Sequence, residues 1–225
     1  MAEFLNTIMP NVMSKPDLLW KAFVETLQML ALTAPISFLL GLILGVTVVA
    51  TKPDGVLPNR WINLAVSKII DLFRSIPFIL LALIMMELSR LVVGTATGVK
   101  GAIIPLLFGT VPFFARQVET AMAEVPPGLI EAAQSMGCSP WDILWRVSLK
   151  ESLPGIIRGG TITLVSLIGF TAMAGAIGAG GLGNFAISYG MRRQMDVAYV
   201  VILIILVMVS LIQSIGSRIA KKATH

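Results

Sequence analysis

The stretch Pro126-Pro127-Gly128-Leu129-Ile130-Glu131-Ala132-Ala133-Gln134-Ser135-Met136-Gly137-Cys138-Ser139-Pro140-Trp141-Asp142 decides how this chain is read. Pro126-Pro127-Gly128 interrupts any helix arriving from upstream. Leu129 to Met136 holds no breaker and reads as a short helix. Gly137 then stands where a helix C-terminus needs a residue of positive φ. Ser139 suits an N-cap, with Pro140 at the first helical position and Asp142 at the third. The second helix is expected to run from Pro140 to about Ser152 and to stop at Pro154. Residues 126–154 thus predict two helices joined by a tight turn at Gly137-Cys138-Ser139, a rigid knob suited to transmitting motion.

Working outward, the chain turns strongly apolar on both sides. Of 225 residues 56% are hydrophobic and only 13% charged, and the mean hydropathy is +0.88. A soluble domain would carry roughly a quarter charged residues. Five segments are long and apolar enough to cross a bilayer core, which takes about 20 helical residues. They are 27–50, 69–93, 101–121, 159–177 and 197–219. The expected fold is an all-α integral membrane protein, residues 1–225 forming one transmembrane domain. The Met1 to Asn11 stretch carries Glu3 and lacks a basic start before an apolar core, so it does not read as a cleaved signal peptide. The first span is then expected to direct insertion.

Basic residues orient the spans. With the N-terminus outside, the inner set is Lys52, Arg60, Lys68, Arg116, Arg146, Lys150, Arg158, Arg218, Lys221 and Lys222. The outer set is Lys15, Lys21, Arg90, Lys100, Arg192 and Arg193. Ten against six favours N-out, C-in. The net charge of +5 is explained by these loops and does not call for nucleic acid. One cysteine, Cys138, and one histidine, His225, exclude a disulfide framework and a histidine- or cysteine-rich metal site.

Three i, i+3 pairs place charge in or near the spans: Asp71 with Arg74, Glu87 with Arg90, and Arg116 with Glu119. Each pair shares a helix face and can partly neutralise itself. They read either as an ion relay or as the charged ends of helices buried in a bundle. Arg74 lies deepest and precedes Pro77, which frees a backbone carbonyl. No internal repeat is found, which disfavours the inverted-repeat plan of many secondary transporters.

Glu131-Ala132-Ala133 followed by Gly137 resembles the EAA-x-x-x-G signature of permease subunits of bacterial ABC importers, and Val147, Leu149, Pro154 and Ile156 fit the rest of it. Lys150 departs from the proline of many members. The stretch from Met173 to Asn184, with Tyr189-Gly190, and Arg74-Ser75-Ile76-Pro77-Phe78 resemble the methionine-importer permeases; osmoprotectant permeases share a glycine-rich stretch there. The resemblance implies a type I importer permease fold in the bacterial cytoplasmic membrane, with five transmembrane helices and a cytoplasmic coupling helix. It implies that Glu131, Ala132, Ala133, Met136, Gly137, Cys138, Ser139 and Pro140 dock on an ATP-hydrolysing subunit. It also implies a homodimer of this chain, two copies of that subunit holding the ATP and Mg, and an extracytoplasmic substrate-binding protein.

Met173 is a candidate gate, since two flexible apolar side chains paired across a dimer axis would close a narrow pore; ordinary packing is the alternative. Arg74, Pro77, Gly175 and Ile177 are candidates for the pathway. Tyr189, Arg192 and Arg193 are candidates to meet the binding protein, or simply line a solvated loop. Gly178-Ala179-Gly180-Gly181-Leu182-Gly183 is formally G-x-G-x-x-G, but it follows a span rather than a strand, which rules against a dinucleotide site. No G-x-x-x-x-G-K-[ST] occurs, so ATP needs a partner. Rival classes are an ion-driven transporter, resting on Asp71, Arg74, Glu87 and Arg90, and a membrane-embedded enzyme, for which the side chains offer little chemistry.

Overall fold

The computed structural model describes residues 9–223. The readings made on His225 and on most of the Met1 to Asn11 stretch lie outside the described residues. Nine helices make up the described chain: α1 (Pro10–Met13), α2 (Pro16–Ala50), α3 (Arg60–Ser75), α4 (Phe78–Val93), α5 (Gly98–Ala123), α6 (Pro127–Ser135), α7 (Pro140–Ala176), α8 (Gly181–Gly190) and α9 (Met195–Ala223). Helices α2, α5, α7 and α9 are long and apolar enough to cross a membrane, and α3 with α4 supplies a fifth crossing if the broken pair is one span.

Two prolines act differently from expectation. Pro154 does not end a helix: α7 continues through it to Ala176. A proline inside a helix costs about 3 kcal/mol in a lost hydrogen bond and a clash with the preceding turn. Packing offsets this, because Ile156 is buried with Val118 and Ala121 of α5. Pro77 does break the expected second span. Ile76 is extended, at φ −85° and ψ 124°, as the residue before a proline prefers, and Pro77 then opens α4.

The chain divides into two compact units. The first holds residues up to Pro35, Pro77–Gly109 and Leu164–Ile212. Its core is built from Ala22, Leu182, Phe185, Val197 and Val201, and Phe78 stacks on Phe170 with ring centroids 4.6 Å apart. Asn11 donates both its backbone and its side-chain N–H to Asp196, each at 3.0 Å, tying α1 to the start of α9.

The second unit holds Ile36–Ile76, Thr110–Thr163 and residues from Gln213 onward. Val46, Ala50, Phe114, Val118, Ala121, Met122, Leu144 and Ile156 form its core. Gly45 lets α2 and α5 approach closely: a Cβ there would lie 2.6 Å from the Ala115 carbonyl oxygen and from Val118. Small residues at such contacts are how membrane helices gain packing energy.

Candidate functional site

The segment 126–154 folds as two joined helices. α6 ends in a Schellman closure, with Gly137 at φ 75°. Cys138 N–H bonds the Ala133 carbonyl at 3.1 Å and Gly137 N–H bonds that of Gln134 at 3.0 Å. On the other side of the turn, Ser139 Oγ accepts from the Asp142 N–H at 3.2 Å, and its hydroxyl reaches the Asp142 carboxylate at 2.6 Å. Arg146 holds the same carboxylate at 3.3 Å. Both helix ends are therefore satisfied locally, and the turn is stiff.

The knob exposes an apolar and aromatic surface. Met136 is 76% exposed, and Leu129, Trp141 and Trp145 are also exposed. Glu131, Ala132, Gly137, Ser139 and Pro140 share that exposure, whereas Cys138 is half-buried. Ala133 is the exception among the predicted docking residues. It is buried, because α6 turns that position inward, and so it supports the knob from within. After Asp142 the helix widens into a π turn over Ile143–Ser148. This is a local irregularity of the kind found at functional positions. Behind the knob lies a cavity of about 440 Å³ edged by Lys52, Asp54, Met122, Ile130, Glu131 and Gln134.

Lys52, at the edge of this cavity, begins an ion chain that crosses three segments. Lys52 pairs with Glu119 at 2.9 Å, Glu119 pairs with Arg116, and Arg116 reaches Asp71 at 2.7 Å. The expected Asp71–Arg74 pairing does not form. Arg116 takes Asp71 because it also bonds the Ser67 carbonyl at 3.3 Å, one turn before Asp71 on the same helix. Arg74 is exposed and makes no ion pair among the described residues. Glu87 and Arg90 do pair, at 3.3 Å.

The glycine-rich stretch closes α7 onto α8. Gly180 and Gly181 take φ of 81° and 76°, conformations open to glycine. The first N–H groups of α8 are taken by α2: Gly181 N–H bonds Glu25 Oε2 at 2.8 Å and Leu182 N–H bonds Thr26 Oγ1 at 2.9 Å. A carboxylate of the chain itself thus fills the position an external phosphate would need. Glu25 and Thr26 were not legible as site residues, since only their distant partners give them a role. Gly175 is buried and faces α8 rather than a pathway; a Cβ on it would meet the Gly183 carbonyl carbon at 2.9 Å. Two residues earlier, Met173 points away from that contact and is 46% exposed, and Ile177 is half-buried. Pro77 is exposed at the start of α4.

Tyr189 stands at the end of α8 as a platform. Lys15 Nζ lies 4.3 Å and Arg192 Cζ 5.6 Å from its ring centroid, both in cation–π range. Lys21, Glu25, Asn184, Ser188, Tyr189 and Arg192 edge a cavity of about 380 Å³. Arg193 sits at φ 60°, a left-handed conformation forced by a second Schellman closure in which Gln194 N–H bonds the Tyr189 carbonyl at 3.1 Å.

The family model for the inner membrane component of binding-protein-dependent transport systems matches residues 37–225. The chain belongs to this family. This permease is 42% identical, over 98% of both chains, to a probable D-methionine transport system permease protein of Vibrio cholerae. It is 41% identical to a methionine import system permease protein of Bacillus subtilis, over 89% of this chain and 91% of that one. The inward-facing MetNI methionine ABC transporter superposes with a TM-score of 0.91 at 41% identity, over 94% of this chain and 99% of the matched one. An amino acid ABC transporter at 18% identity shares the fold, with a TM-score of 0.79. The permease therefore has the type I ABC importer fold and is a multi-pass inner membrane protein.

Proposed function

We propose that this permease forms, as a homodimer, the pore of an ATP-driven importer of methionine. Two ATP-hydrolysing subunits, which hold the ATP and Mg, dock on the two copies of the 126–154 knob. Glu131, Ala132, Met136, Gly137, Cys138, Ser139 and Pro140 form the contact, with Ala133 bracing it from behind. The observation that carries this reading is the stiff, doubly capped knob with Met136, Trp141 and Trp145 uncovered. Aromatic and methionine side chains on a rigid support are the composition of a protein-docking surface. The names of the relatives support methionine as the cargo.

In this reading the N-terminus faces out and the knob faces the cytoplasm. The basic residues of the unit that contains the knob outnumber those of the other unit. Closure of the ATPases draws the knobs together and shifts the pore from inward-open to outward-open, because ATP binds one state better than the other. A substrate-binding protein meets Tyr189, Arg192 and Arg193 and releases its amino acid into the outward-open pore. Met173 of each copy closes the pathway, with Ile177, Pro77 and Arg74 along it, and Gly175 holds the α7–α8 contact that positions Met173. The ion chain Lys52–Glu119–Arg116–Asp71 is already mutually neutralised, which supports a structural role over a proton relay.

The test is co-expression with the ATPase subunit, then uptake of labelled methionine in proteoliposomes supplied with ATP and binding protein. ATP-dependent uptake that is lost in Glu131→Ala and Gly137→Pro, while both variants remain folded, is the expected result. Uptake of betaine but not methionine would move the cargo to an osmoprotectant. Uptake driven by a proton gradient without ATP would remove the importer reading.

A further inference from the structure

Helix α3 carries an exposed apolar stripe with basic residues beside it. With a step of about 100° per residue, Trp61, Ala65, Ile69 and Leu72 fall on one stripe. All four are exposed, Trp61 at 80% and Leu72 at 60%. The protein contacts lie on another flank. Ile70 packs with Val48 and Ala115, and the Asn63 amide donates to the Val48 carbonyl at 2.7 Å. The Asn63 amide also reaches Thr51 Oγ1 at 3.3 Å, so the flank of α3 that carries Asn63 and Ile70 is held by the protein, and the apolar stripe is left uncovered.

The charges of α3 suit a membrane surface. Arg60, Lys68 and Arg74 are exposed and unpaired among the described residues, while Asp71, the acid of this helix, is taken by Arg116. We propose that α3 lies in the headgroup layer and binds acidic phospholipid. Trp61, Ile69 and Leu72 enter the acyl boundary, and Arg60 and Lys68 meet the phosphates. A basic, tryptophan-bearing amphipathic helix is the form that lies in an interface, and its 16 residues reach only about 24 Å, short of a hydrocarbon core. A second copy of this chain is the poorer occupant of the stripe, because two-fold symmetry would set the cations of one α3 near those of its mate.

The test places a bimane label at Ala65→Cys in a Cys138→Ser background, with the complete chain in lipid nanodiscs. Quenching by acyl-brominated phosphatidylglycerol is compared with that by acyl-brominated phosphatidylcholine at equal mole fraction. We expect about two-fold stronger quenching by the acidic lipid, reduced toward parity at about 0.5 M NaCl. Parity is also expected in Arg60→Gln/Lys68→Gln. The salt arm leaves the sequence of the helix intact, so it stands even if the double variant misfolds. Equal quenching by both lipids at low salt overturns the proposal. So does absence of quenching by either lipid with disulfide formation between Ala65→Cys copies, which would assign the stripe to a second chain.

Discussion

Replacing Gly137 by other residues probes the stiffness of the knob, and the order among the replacements separates backbone strain from added surface. Gly137 sits at φ 75°, and a Cβ built there meets nothing within 4 Å. No steric clash within the permease contributes, so the cost to the knob itself is the left-handed backbone penalty, about 1–2 kcal/mol for an ordinary L-residue. Asparagine tolerates that conformation better and should lose least, alanine more, and valine most. If the ATPase recognises the closed knob, a penalty of about 1.4 kcal/mol lowers docking affinity up to tenfold. The measurement is the dissociation constant between purified permease and ATPase subunits in detergent, with maximal ATP hydrolysis recorded beside it. The expected order is Gly137, then Gly137→Asn, Gly137→Ala and Gly137→Val. Equal affinity across the four, with an intact thermal transition, would refute the argument that turn geometry sets docking.

Other substitutions probe contacts of different kinds. Gly183→Ala drives a methyl group into the Ala172 backbone of α7, so a loss of about 1–3 kcal/mol is expected, read as a lower melting temperature in a thermal-shift assay. Arg193→Gly relieves a left-handed arginine and should stabilise by about 1 kcal/mol. If Arg193 also meets the binding protein, this same variant weakens that complex while raising the melting temperature. Asp71→Asn and Arg116→Met should each destabilise, and their double variant should cost less than the sum, with a coupling of about 1 kcal/mol in a thermodynamic cycle because Asp71 is half in solvent. Additive behaviour would mean that the 2.7 Å pair carries no energy.

The parts of this protein that were legible in the sequence are those governed by neighbours in the chain. Apolar runs announced the spanning helices because a bilayer demands about 20 apolar residues in a row. Gly137 and Ser139 announced the turn because helix ends are satisfied within a few residues. The EAA pattern resembled the family to which the chain belongs. What stayed hidden depends on residues far away in the chain. Pro154 and Pro77 are the same residue type, yet one is carried through a helix by Ile156 and its packing on α5, while the other breaks a span. Asp71 could pair locally with Arg74, but Arg116, 45 positions away, takes it. Gly175 reads as a candidate for the pathway until α7 and α8 are seen in contact. Glu25 shows no role until the start of α8 is brought beside it, 156 residues on. Sequence alone located the long apolar helices, apart from the one broken at Pro77, and the turn of the knob, because those follow from local bonding and from solvent. Tertiary structure decided which polar groups partner and which prolines break, because those energies exist only once distant helices meet.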